Sequence, residues 1–206
     1  MRTHTKETQE ILTPDLIIDI LKKGNQRFVN NIKAHRNLLE QVNETSTGQF
    51  PFAAILSCID SRTSAELIFD QGLGDIFSIR IAGNILNEDI LGSMEFACKI
   101  AGSKLIVVLG HTNCGAVIGA CDDIKLGHLT ALVNKIKPSI EIETVTESER
   151  NGKNIKFVEN VTINNVKLAV EGIRRRSPIL SDMENENKIK IIGGMYDVET
   201  GIVKFL

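Results

Sequence analysis

"KLIVVLGHTNCGAVIGACDD", residues 104–123, decides the fold. It opens on a continuous apolar run, the pattern of a strand covered on both faces. It turns through "GHTNC" and enters a helix at "CGAVIGACDD". A buried strand that runs straight into a helix is half of a parallel β-α-β unit. The turn puts His111 and Cys114 at the carboxyl end of that strand.

Upstream, "FAAILSCIDSR" (residues 52–62) repeats the design: an apolar run ends in a thiol, Cys58, followed by Asp60 and Arg62. Between the two lie a short helix, "SAELIFDQG", closed by Gly72, a second strand, "DIFSIRIAG", and a helix with a glycine stop, "EDILGSMEFACKIAG". Downstream come "HLTALVNKIKPSIEIE", a helix broken at Pro138, and a long helix across residues 151–177. Residues 187–206 read as a strand, a turn at 199–201 and a last strand. At the other end, "TPDLIIDILKKGNQRFVNN" is an amphipathic helix with Thr13 as its cap and Pro14 in its first turn. The expectation is an α/β fold over a single domain, residues 1–206. It has a mainly parallel central sheet flanked by helices, an antiparallel C-terminal edge strand and an N-terminal helical arm over residues 1–48. The polar stretch 141–154 reads as an exposed loop.

The formal net charge of −2 argues against nucleic acid as the main partner. Arg174, Arg175 and Arg176 form a tight basic run, which reads as the solvated C-terminal end of a helix. No apolar run reaches the ~18 residues of a membrane span, and "MRTHTKETQE" holds no apolar signal-peptide core. These features predict a soluble, cytoplasmic protein. The cysteines are Cys58, Cys98, Cys114 and Cys121. A chain of this size needs no disulfide staples, and Cys98 and Cys121 read as small buried hydrophobes.

Ligands of open α/β sheets bind beyond the carboxyl ends of the strands. Cys58, His111 and Cys114 converge there. Alone, Cys58 beside Asp60 and Arg62 reads as a strand-end thiol near a salt bridge, and "HTNC" as a loop. Together they read as a zinc set of two thiolates and an imidazole, with a fourth position left for water. Two thiolates neutralise the dication, so its water is less acidified than at a three-histidine centre. Asp60 is then the acceptor for the water's proton. Arg62 holds that carboxylate with paired hydrogen bonds and keeps it ionised. Spacing and periodicity lead to zinc-activated water attacking a small electrophile, and stop there.

"CIDSR", "GDIFSIRIAGN" and "GHTNCGAV", in this order and spacing, resemble the β-class carbonic anhydrases. "GNQRF" and "GGMYDVETGIV" are similar to that family's N-terminal and closing segments. The resemblance implies zinc-dependent reversible hydration of carbon dioxide to bicarbonate and a proton. It implies Cys58, His111 and Cys114 as zinc ligands and Asp60–Arg62 as the catalytic pair. It further implies substrate-pocket roles for Gln49, Phe77, Ala82, Phe96 and the N–H of Gly115. It also implies a homodimer or higher homo-oligomer, with the arm packed on the partner through Leu16, Ile17, Ile20, Leu21, Phe28 and Val29. Some members carry a bicarbonate-linked switch that uses a tryptophan and a glycine where this chain has Ile55 and Ser57. That switch is not expected here. His35 and His128 are candidate proton shuttles. The rival readings are a zinc hydrolase of the same fold acting on COS or CS₂, and a non-catalytic zinc-binding module.

Overall fold

A computed structural model describes residues 3–206. The chain opens with three helices: α1 (Lys6–Ile11), α2 (Pro14–Val29) and α3 (Leu38–Thr45). The Thr5 and Thr13 side chains accept from Thr8 and Leu16 N–H and so cap α1 and α2, and Pro14 occupies the first turn of α2, where its missing N–H costs nothing. Next come β1 (Ala53–Ser57), α4 (Ala65–Ile68), β2 (Ile76–Arg80), a 3₁₀ turn at Ala82–Asn84 and α5 (Glu88–Glu95), which runs into a π-turn at Phe96–Ile100. After β3 (Leu105–His111) follow α6 (Gly115–Cys121), α7 (Gly127–Asn134), α8 (Lys137–Glu141), α9 (Ile155–Arg176) and α10 (Pro178–Asn185). The chain ends in β4 (Lys190–Tyr196) and β5 (Val203–Phe205).

The sheet has the order β2-β1-β3-β4-β5. Its first four strands are parallel, and β5 returns antiparallel on β4. Every residue of β1 and β3 is buried. That follows from their place in the middle, with apolar clusters on both faces. Ala54, Leu56, Ile106 and Val108 face one cluster, beneath α9 and α10. Ala53, Ile55, Leu105 and Val107 face the other, beneath α2 and α4. From β1 the chain moves outward to β2, then crosses back to β3 on the other side of β1. The strand order therefore reverses between β1 and β3, and a crevice opens beyond their carboxyl ends. Cys58 follows β1, and His111 closes β3.

Several local readings change. The helix expected over 64–72 is confined to Ala65–Ile68. Asp70 adopts a left-handed φ of 45°, and its backbone carbonyl accepts from Arg27 and Arg36, which draws the chain off the helix. Helix α2 finds part of its covering surface within its own chain: Ile17 and Leu21 are fully buried under the sheet, while Leu16 and Val29 stay exposed. The 141–154 stretch is not simply solvated. Its Glu143 is buried and accepts from Arg150, Thr146 and Asn160. Arg174 pairs with Glu184 and so ties α9 to α10. Cys98 is buried, whereas Cys121 is only half-buried. Among the described residues, no helix is long and apolar enough to cross a membrane.

Candidate metal centre

Cys58, His111 and Cys114 come together at the crevice, all buried, with one donor atom from each within 4.8 Å of the others. The Cys58 and Cys114 sulfurs are 4.0 Å apart. Two sulfurs each about 2.3 Å from one tetrahedral ion would be separated by about 3.8 Å. The histidine is oriented from behind. Its Nδ1 lies 2.9 Å from the carbonyl oxygen of Thr112, which can only accept, so Nδ1 carries the proton. Its Nε2 is then a lone-pair donor, and that atom is buried without a hydrogen-bond partner. An orphaned imidazole nitrogen beside two thiols is costly unless a cation fills the space between them.

Protonation points the same way. The neighbouring Cys114 thiol first, then the Gly83 N–H, pull Cys58 well below the usual thiol range against the effect of burial. Cys58 and burial push Cys114 up. The pair parts with one proton far more readily than with both, so a dication between the sulfurs is what makes a second thiolate tolerable. The donor set fits zinc chemistry.

The loop after Cys58 is tightly held. Arg62 donates from Nε to Asp60 Oδ1 (2.9 Å) and from Nη2 to Asp60 Oδ2 (2.8 Å). The Arg62 backbone N–H adds a third bond to Oδ1, and its Nη2 also reaches the Asn113 carbonyl, next to Cys114. The paired Arg62 bonds first of all, against a smaller effect of burial, hold the Asp60 carboxyl far below the usual carboxylate range. Asp60 is therefore ionised and accepts only. Three donations use most of its lone-pair capacity and fix its plane, yet Oδ2 receives just one of them.

Two further residues, not singled out from the sequence, build this loop. Thr63 Oγ1 donates to the carbonyls of Cys58 and Asp60. Arg80, at the end of β2, donates Nε to the Cys58 carbonyl (3.0 Å) and Nη2 to the Asp60 carbonyl (2.6 Å). Arg80 stood in plain view in "GDIFSIRIAGN". Only the β1–β2 register, which sets Arg80 beside Ser57, reveals its task.

The other sequence-derived residues are more dispersed. Phe77 and Phe96 meet edge to face at 6.3 Å and line a cavity of about 860 Å³ with Arg80, Glu88 and Asp89. Ala82 is half-buried in the 3₁₀ turn. Gly115 is exposed at the first turn of α6, and a Cβ there would meet nothing within 4 Å. Gln49 is exposed on the segment that leads into β1, and His35 and His128 are exposed.

A mostly parallel open sheet with a buried Cys–His–Cys donor set at its switch point defines the class of protein. The family model for carbonic anhydrase matches residues 53–203. Carbonic anhydrase 2 of Mycobacterium tuberculosis is 35% identical over 187 residues, 88% of this chain and 87% of that one. The β-carbonic anhydrase CafA of Aspergillus fumigatus has a TM-score of 0.73 at 25% identity, over 82% of this chain and 81% of that one. A structure from a study of two tetrameric β-carbonic anhydrases of Sordaria macrospora shares the fold, with a TM-score of 0.67 at 23% identity over 81% of this chain and 89% of that one. This chain belongs to the carbonic anhydrase family, in its β class, and is an enzyme of that kind.

Proposed function

We propose that the chain catalyses the reversible hydration of carbon dioxide to bicarbonate and a proton, with zinc held by Cys58, His111 and Cys114. The observation that carries this reading is the orphaned His111 Nε2 facing two thiols, with an ionised Asp60 pinned beside them. Zinc bound there would supply Lewis-acid activation of water near neutral pH. The protein supplies the rest. Asp60 accepts a proton-bearing group at Oδ2 and so turns the attacking water's lone pair toward the carbon. Arg62 keeps that carboxylate ionised and away from the three donors.

Carbon dioxide is uncharged and weakly hydrated, so an apolar wall costs it little, whereas bicarbonate leaves such a wall readily. Phe77, Ala82 and Phe96 are assigned to that wall. Gly115 N–H, at a helix start, is assigned to the developing anion. Gln49 is assigned to substrate across a dimer interface, with the exposed apolar residues of the arm packing on the partner. The tetrameric fold relatives are in keeping with an oligomer.

The reading is tested by stopped-flow carbon dioxide hydration at pH 8.5, with zinc content measured on the same sample. The expected result is near-stoichiometric zinc and hydration far above background, lost on chelation and restored by zinc. A zinc-loaded protein with no hydration above background would overturn it.

A further inference from the structure

Helix α9 buries one face, against α6–α8 through Phe157, Val158 and Val161 and against the sheet through Val166, Val170 and Ile173. In the middle of this face, where the spacing calls for an aliphatic residue, stands Asn165, only 5% exposed. Asparagine is a poor helix former, and a buried amide is costly unless its donors and acceptors are matched. Its partners therefore show what it is for.

Asn165 Nδ2 donates to the carbonyl of Gly83 at 2.8 Å. That carbonyl can only accept, which fixes the amide's orientation and turns Oδ1 toward Ser139 Oγ, 3.4 Å away and equally buried. Gly83 in turn donates its backbone N–H to Cys58 Sγ at 3.3 Å. The bonds form a buried chain from Ser139 on α8, through Asn165 on α9 and the two peptide groups that meet at Gly83 Cα, to a sulfur of the metal centre.

The middle link is a strained one. Gly83 has φ +65° and Asn84 φ +41°, so two successive residues sit in the left-handed region. Glycine is required at the first: a Cβ would lie 2.7 Å from Ile136 Cδ1 and 3.2 Å from Ala116 Cβ. Such a turn keeps its direction only when surrounding groups hold it. Its backbone contributes the Asn84 N–H bond to Ile81. Among the described residues, Asn165 is the one side chain with a hydrogen bond to the Gly83 carbonyl.

We infer that Asn165, oriented by Ser139, is a positioning residue of the metal centre: it aims the Gly83 N–H at the Cys58 sulfur. This rests on the reading that Cys58, His111 and Cys114 hold a metal. A hydrogen bond to a thiolate withdraws electron density from it and fixes its direction. Outer partners of this kind typically change metal affinity by about 10- to 100-fold when removed.

The test is the cobalt-substituted protein. Asn165→Leu keeps the number and branching of side-chain heavy atoms but leaves the Gly83 carbonyl without its donor. A thiolate that has lost its N–H is more electron-rich, so the sulfur-to-cobalt charge-transfer band should move to lower energy. Zinc affinity, read by chelator competition, should fall about tenfold or more. A purely structural asparagine would change melting temperature and leave the band in place. An unmoved band with unchanged zinc affinity in folded Asn165→Leu overturns the inference. If that variant does not fold, Ser139→Ala decides: the band should shift in the same direction by less, and an unmoved band overturns the inference. If the parent protein itself takes up neither zinc nor cobalt, it is the metal-centre reading that falls.

Discussion

Among the described residues, two aspartates are gripped by arginines, and they sit in different settings. Asp70 lies deep between α4 and the arm, 5% exposed. Arg27 and Arg36 bind its carboxylate from two sides, the Ala34 N–H adds another bond, and both arginines also bind its carbonyl. Its three carboxylate donors come from separate points along the arm, far from Asp70 in sequence. Asp60 has one arginine, two residues away, and its side chain is 18% exposed. Its carboxyl too is held below the ordinary carboxylate range, but all three of its donations come from Arg62, and it is more open to solvent. The first arrangement fastens the arm to the body; the second, on the proposed function, leaves a carboxylate reachable by a partner that comes and goes. The difference lies in burial and in where the donors come from, not in the number of bonds, which among the described residues is three to each carboxylate.

The contrast can be broken from the metal side first. Cys58→Ala and His111→Ala should each lose zinc on dialysis and drop hydration to background, because a two-donor remnant cannot retain the ion. Full zinc retention in either variant would remove that residue from the ligand set. Arg62→Ala should keep its metal and its fold, yet lose at least about 100-fold in turnover. Freed from the guanidinium, Asp60 finds its best remaining partner in the cation, and a carboxylate oxygen joins the two sulfurs and one nitrogen. In the cobalt form, anion inhibitors should then barely perturb the visible spectrum. Parent-like anion binding would show that Arg62 is not what restrains Asp60.

Asp70→Asn should act in the other direction. Removing one partner from a buried cluster leaves two guanidinium groups underpaired, at a cost on the order of 3 kcal/mol in stability. Turnover per bound zinc should be unchanged. The effect should also depend on pH. Burial pushes the Asp70 carboxyl up, but Arg27, the Ala34 N–H and Arg36 together outweigh it, and its pKa falls below the ordinary value. The unfolded chain therefore binds this proton first. The stabilisation is complete above the unfolded pKa of about 4 and is lost as pH falls through the folded one. Denaturant titrations at pH 7 and at pH 3 should show the gap between parent and variant narrowing at the acid end. A gap that stays constant would deny the ion pairs their role.

These contacts mark where the sequence was transparent and where it was not. Strands β1 and β3 were plain, because strands buried on both faces must be apolar throughout, and their ends brought Cys58, His111 and Cys114 together without side-chain detail. Asp60 and Arg62 were legible because two residues of chain suffice to join them. Arg80 and Asn165 were not, since each reaches the site by a bond that only tertiary register creates. The short reach of α4 was hidden for the same reason: Arg27 and Arg36 end it from far along the chain. Helix α10 did carry a local signal, with Ser177 capping through Leu180 N–H and Pro178 in the first turn. It went unread beside the charged end of α9.

The claim that Asp60 acts at the crevice, rather than only bracing its loop, is tested most directly by Asp60→Asn. The amide fills the same space but is no longer an ionised, accept-only group. In stopped-flow carbon dioxide hydration at pH 8.5, with zinc determined on the same sample, the variant should retain its zinc and lose about 100- to 10,000-fold in turnover. A zinc-loaded Asp60→Asn protein that turns over at close to the parent rate would contradict the account.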